Sequence, residues 1–127
     1  VDRFAAGDST HNRQTSVADV VADVFEPLPF ADESVDGIIA RHILEHAVDP
    51  VRVLLDWRRV LKPGGRLVVA APNQALAPTI PMDVEHVHAW TPESFASLAL
   101  RCGYLPVGEA PDSGNGISFV SAWGRFA

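Results

Sequence analysis

LPFADESVDGIIARHILEHAVDPVRVLLDWRRVLKPGGRLVVAAPNQ, residues Leu28 to Gln74, is the stretch whose reading decides the fold. Val35-Asp36-Gly37-Ile38-Ile39-Ala40 follows the turn-rich Ala31-Asp32-Glu33-Ser34 as a short apolar run with neither helical period nor polar alternation, the pattern of a strand buried on both faces. Asp49-Pro50 supplies an N-cap and a proline at the first helical position, where its missing N–H is harmless. Winding residues 50–61 at 3.6 per turn places Val53, Leu54, Trp57, Val60 and Leu61 on one face, flanked by Val51 and Leu55, with Arg52, Asp56 and Arg59 opposite. Lys62-Pro63-Gly64-Gly65 ends the helix, and Arg66-Leu67-Val68-Val69-Ala70-Ala71 follows as a second buried strand, stopped at Pro72-Asn73. Strand, helix, tight turn and strand make a βαβ unit, which predicts parallel strands with ligands beyond their carboxyl ends. The expected site loops are therefore Arg41 to Asp49 and the segment after Ala71.

In this order and spacing, Asp23, Leu28-Pro29-Phe30, Ser34-Val35-Asp36, Leu44-Glu45-His46, Val60-Leu61-Lys62-Pro63-Gly64-Gly65-Arg66-Leu67 and Pro72-Asn73 resemble the class I S-adenosylmethionine-dependent methyltransferases, in their small-molecule, type 11-like branch. The resemblance covers most of the chain. It implies an α/β, Rossmann-like fold whose mostly parallel sheet closes on a final antiparallel strand. It implies S-adenosylmethionine as cofactor and a small-molecule acceptor. By position, Asp2 would take the cofactor ribose, Asp23 and the Val24 backbone N–H the adenine, and Arg41 and His42 the methionine portion. For Asp23 a register ambiguity arises from the doubled Ala-Asp-Val of residues 17–24, expected to form a strand; the spacing to Leu28-Pro29-Phe30 favours Asp23 over Asp19. No catalytic residue follows from the resemblance, although His46 or a later histidine could deprotonate an acceptor hydroxyl.

The chain of 127 residues reads as one domain, with 47% hydrophobic and 20% charged residues and a net charge of -6. That charge argues against a nucleic-acid partner, and no apolar run approaches membrane-spanning length. The single cysteine, Cys102, excludes an internal disulfide and suits a reducing, cytoplasmic compartment.

His42-x-x-Glu45-His46 also fits an H-x-x-E-H zinc-peptidase pattern, but Asp49-Pro50 starts a new helix at once, so a loop is expected and no metal is assigned. Some quinone-pathway O-methyltransferases carry an acid and histidine cluster at this loop; Glu45 and His46 match part of it, and His42 replaces the expected acid. The structural alternative has His46 pinning the loop through a backbone hydrogen bond. Ala75 to Trp90, with Pro78 and Pro81, is too long for a plain connector and is the expected lid over the acceptor; Asp83, Glu85, His86 and His88 could imitate a metal cluster there. Arg3 to Thr15 has turn chemistry and no helical anchor.

Thr91-Pro92-Glu93 opens a second helix, with Phe95, Leu98, Ala99 and Cys102 on its buried face and Gly103 at its end. Tyr104 to Val107 is an edge strand, marked by Pro106, and Ile117 to Trp123 a last strand after the turn Ser113-Gly114-Asn115-Gly116.

The Gly-x-Gly-x-Gly turn of the family appears nowhere in the sequence. The strand carrying it is central, so its absence would leave edges unpaired at roughly 1–3 kcal/mol per buried group, against a domain stability of about 5–15 kcal/mol. The expectation is a single methyltransferase domain lacking its N-terminal strands, completed by upstream residues or by a homodimer partner. The competing function is an inactive methyltransferase-like binding or scaffolding module. A nicotinamide oxidoreductase fits less well, since it needs the same missing turn.

Overall fold

The structure is a computed structural model describing residues 20–126. Four strands form one sheet in the order β1-β2-β4-β3, with β1 Val35–Arg41, β2 Leu61–Pro72, β3 Tyr104–Ala110 and β4 Ser118–Arg125. β1 and β2 are parallel, with Ile38 opposite Leu67 and Ala40 opposite Val69. β4 runs antiparallel to both β2 and β3, so β1, β2 and β3 share one direction and the last strand is the reversed one. The sheet thus has the predicted mixture, and Pro106 does lie on an edge strand.

Helix α1, Pro50–Val60, starts where the sequence places it: the Asp49 side chain accepts from the Arg52 N–H. Val53, Leu54, Trp57 and Val60 are buried, while Val51 and Leu55 stay exposed. Leu61 already opens β2, and residues 62–65 bulge out of the β1 pairing before Arg66 meets Gly37. Gly64 has φ +79°, and a Cβ on Gly65 would stand 2.8 Å from the Lys62 carbonyl oxygen, so both glycines are needed to make the turn.

After β2 comes a short helix α2, Thr79–Met82, and then α3, Pro92–Arg101, whose Thr91 and Ser94 form a reciprocal capping box. Gly103 ends α3 with φ +90°, as the sequence predicts. Strand register puts Ile38, Ala40, Leu67, Val69, Ala71, Phe119 and Trp123 on one face of the sheet. Phe95 of α3 packs on Phe119 and Trp123, and α1 joins the same core, so both long helices cover that one face.

Two expectations are corrected. β1 is not buried on both faces: Ile39 is 82% exposed, because no described element covers the second face and β1 has a neighbour only on its β2 side among the described residues. Residues 20–24 contain no strand; Val21 makes a lone bridge and Asp23 opens a turn, its carboxylate accepting from the Phe25 N–H at 2.9 Å. A side chain that captures the backbone two residues on competes with ladder pairing.

Candidate functional site

Three loops meet at the carboxyl ends of β1 and β2. The first, after Arg41, contains a 3-10 turn at Leu44–His46. The second follows Asn73, which is buried and spends its polar groups on the neighbouring chain: its N–H donates to the Ile117 carbonyl, and its amide donates to Pro111 and accepts from Ala75. The third is the 111–118 turn, where the Asp112 carboxylate accepts from the N–H groups of Gly114 and Gly116.

Residues 75–90, expected to form a lid, are tied down at both ends. Gln74 N–H donates to the Trp90 carbonyl, and the Val87 and His88 N–H groups both donate to the Glu45 carbonyl. His88 stacks on Trp90, and His86 reaches the other way, its Nδ1 donating to the Thr79 carbonyl at 2.6 Å. The polar cluster at the strand tips is therefore drawn from two loops: His42, Glu45 and His46 from the first, His86 from the second.

Within it, His42 has φ 53°, a left-handed conformation uncommon outside glycine, and its Nε2 lies 3.2 Å from the Ser118 Oγ. Glu45 is fully buried, and neither carboxylate oxygen has a hydrogen-bond partner among the described residues. His42 Nδ1 and His46 Nε2 approach one of those oxygens at 3.6 and 3.7 Å, beyond hydrogen-bond reach. His46 Nδ1 pairs with the Glu85 carbonyl at 3.2 Å, the loop-pinning bond anticipated from the sequence.

On the α1 side of β1 lies a separate apolar cleft of about 300 Å³, lined by Val24, Leu28, Phe30, Ile38, Ala40 and Trp57 among others. Arg59 fastens its rim. Its guanidinium donates to the carbonyls of Leu28 and Phe30 and to Asp32 and Asp56, and its pKa is raised by the hydrogen bonds to Asp32 and Asp56. Asp56 also accepts from the Leu28 N–H. The helical wheel puts Arg59 and Asp56 on the solvent side and gives no reason to expect them to clamp a chain twenty-seven or more residues upstream.

The residues singled out in the sequence are thus distributed over two places. Val24 lines the cleft, and Asp23 precedes it with its carboxylate exposed. Arg41 is exposed at the tip of β1 and not among the cleft residues, and His42 belongs to the polar cluster. Asp2 lies outside the described residues. The sequence marks His86 only as one of several lid residues; its meeting with Glu45 and His46 depends on how the second loop folds back.

A Rossmann-like α/β sheet with its loops gathered at the strand tips is the architecture of the class I methyltransferases. The methyltransferase-domain family matches residues 3–69, more than half the chain, and the chain belongs to that family. It is 44% identical over 66 residues to the demethylmenaquinone methyltransferase of Mycobacterium sp. strain KMS, covering 52% of this chain and 28% of that protein. It is 30% identical over 83 residues to a probable S-adenosylmethionine-dependent methyltransferase of Mycobacterium tuberculosis, covering 63% of this chain and 30% of that protein. The chain therefore spans less than a third of the length of these relatives. In fold it is similar to a putative methyltransferase of Bacillus halodurans, with a TM-score of 0.68 at 14% identity over 84% of this chain and 71% of that one. It is similar also to the Burkholderia thailandensis 1,6-didemethyltoxoflavin-N1-methyltransferase solved with that substrate and S-adenosylhomocysteine, with a TM-score of 0.68 at 15% identity over 85% of this chain and 50% of that one.

Proposed function

We propose that this chain is part of an S-adenosylmethionine-dependent methyltransferase acting on a small-molecule acceptor, with residues 1–127 belonging to a single methyltransferase domain. The observation that carries the proposal is the parallel β1-α1-β2 unit with an apolar cleft beside β1 and polar loops at its carboxyl end. The residues at the cleft suit an adenosine. Its walls are apolar, as the faces of a purine require; among the described residues the Val24 N–H has no acceptor and the exposed Asp23 carboxylate accepts a single hydrogen bond, leaving capacity for an exocyclic amino group.

Bound there, the cofactor would supply an electrophilic sulfonium methyl. The chain's own contribution is placement. Arg59 holds Leu28 to Asp32 against α1, which fixes the cleft wall next to Val24. The loop after β1 and the segment 75–90 enclose the strand tips, where an acceptor would be held in line. His46 and His86 each direct Nδ1 to a backbone carbonyl, so each keeps an Nε2 lone pair for an acceptor proton. By the same reading Arg41 and His42, at the tip of β1, are assigned the methionine end and Asp2 the ribose.

Titration calorimetry of the intact protein with S-adenosylhomocysteine tests this reading. Micromolar binding is expected, and Asp23→Ala should weaken it about 10–100-fold, the usual loss of a charged hydrogen bond. No heat at millimolar ligand would leave an inactive binding module as the better description.

A further inference from the structure

We infer that Glu45, His46 and His86 form a binding site for a divalent transition-metal ion, with zinc the best match to the donor set. One ligand atom from each residue lies within 4.8 Å of the other two. Two independent features point to a cation at that spot.

The first is Glu45 itself. Its side chain has no exposure, and among the described residues neither oxygen has a hydrogen-bond donor, the His42 and His46 nitrogens standing off at 3.6 and 3.7 Å. A carboxylate stripped of water and of donors is unfavourable by itself, whereas a metal ion supplies the missing positive partner. The second is the setting of the two imidazoles. A carbonyl oxygen can only accept, so His46 Nδ1 against Glu85 and His86 Nδ1 against Thr79 must both carry the proton. In the neutral ring that leaves an Nε2 lone pair on each, the arrangement in which a histidine oriented by an outer carbonyl binds a metal, and an ion bound there takes the lone pairs that would otherwise accept a proton. Two such nitrogens and one carboxylate are a three-residue zinc set with a coordination position left open, and nitrogen donors disfavour magnesium and calcium.

The present spacing is slightly wide. Bonds of about 2.1 Å in a tetrahedron hold ligand atoms roughly 3.4 Å apart, so closing on the ion needs a movement of about 1 Å. His86 stands on the 75–90 segment and Glu45 and His46 on the loop after β1. An ion would therefore clasp the two loops together over the strand tips, and its open position would be available to an oxygen of an acceptor. This last point rests on the methyl-transfer reading; the metal site itself does not.

The test uses intact protein stripped with EDTA and titrated first with Co²⁺ and then with Zn²⁺. One equivalent of Co²⁺ should give the visible bands of a four-coordinate site, and one equivalent of Zn²⁺ should abolish them. Glu45→Gln and His86→Gln should each weaken Co²⁺ binding at least a hundredfold, while His88→Gln, whose ring stacks on Trp90 away from the cluster, should leave it within twofold. Because Glu45 is buried, Glu45→Gln could unfold the chain; His86→Gln, half-buried and checked by circular dichroism, then decides. Co²⁺ binding that is spectroscopically six-coordinate, unaffected by His86→Gln, or matched by Mg²⁺ at equal concentration would overturn the site. S-adenosylhomocysteine binding measured in EDTA separates failure of the metal site from failure of the methyltransferase reading.

Discussion

Tyr104 shows how one residue couples the two long helices to the sheet. It begins β3 immediately after Gly103, its ring is buried, and its hydroxyl donates to the Leu54 carbonyl of α1 at 2.7 Å. Desolvation, reinforced by the neighbouring Cys102, pushes the phenol well above the ordinary tyrosine range, and burial pushes the Cys102 thiol up as well. The folded chain thus holds both protons more tightly than the unfolded chain. That contribution to stability is complete below the unfolded values, about 8.5 for the thiol and 10 for the phenol, and is lost as pH rises above them. Urea unfolding from pH 7 to 11 should show stability falling above about pH 8.5 and more steeply above 10. Tyr104→Phe should remove the steeper part and cost about 1 kcal/mol at pH 7 through the lost hydrogen bond. An unchanged slope above pH 10 in that variant would contradict the assignment. The burial of Cys102 was legible from its place in the i, i+3, i+4, i+7 series of α3, but the role of Tyr104 was not, since its acceptor lies fifty residues away and leaves no local trace.

Among the elements, those written by short-range chemistry were legible. Asp49-Pro50 and Thr91-Pro92 start α1 and α3 where capping rules place them, and Gly103 ends α3; the glycines expected to end α1 instead lie in a bulge within β2, because the chain already turns extended at Leu61. Asp49→Ala should destabilise by about 1 kcal/mol, because the Arg52 N–H loses a side-chain partner and can turn only to water. Gly65→Ala should cost more, roughly 1–3 kcal/mol, since its Cβ would meet the Lys62 carbonyl at 2.8 Å and the Asp36 carbonyl at 3.1 Å, both backbone atoms unable to swing away. Chemical denaturation of the two variants gives the order, and a smaller loss for Gly65→Ala would mean the turn relaxes freely. What short-range reading misjudged was cover. The run Val35 to Ala40 is apolar throughout, and composition cannot say whether a helix lies over each face; here only the Ile38 and Ala40 side is packed. Residues 20–24 depart from the expected strand for another reason, since the Asp23 carboxylate takes the Phe25 N–H into a turn. The polar cluster was half legible: His42, Glu45 and His46 are contiguous in sequence, whereas His86 joins them only through the Val87 and His88 hydrogen bonds to the Glu45 carbonyl.

For the molecule as a whole, the consequence of one-sided cover is a surface that water tolerates badly. Ile39 is 82% exposed, and Val68, Ala70, Val120 and Ala122 share its face by register, each only partly buried. β1 is also the end strand of the described sheet, so a row of backbone donors and acceptors borders the same apolar patch. An edge strand of this kind, without a charged side chain at its centre, is a template for another strand. Resemblance to methyltransferases allows two sources for that strand, further polypeptide of the same protein or a second copy of this chain. The 127 residues by themselves should accordingly associate, with light scattering showing mass that grows with concentration. Ile39→Lys should shift the population toward monomer with little change in melting temperature, because the side chain it replaces contributes almost nothing to the core. Slow hydrogen exchange at the outward amides of β1 should accompany association and be lost in the variant. A chain that stayed monomeric at high concentration, or outward amides of β1 protected as strongly in Ile39→Lys as in the parent, would overturn the association.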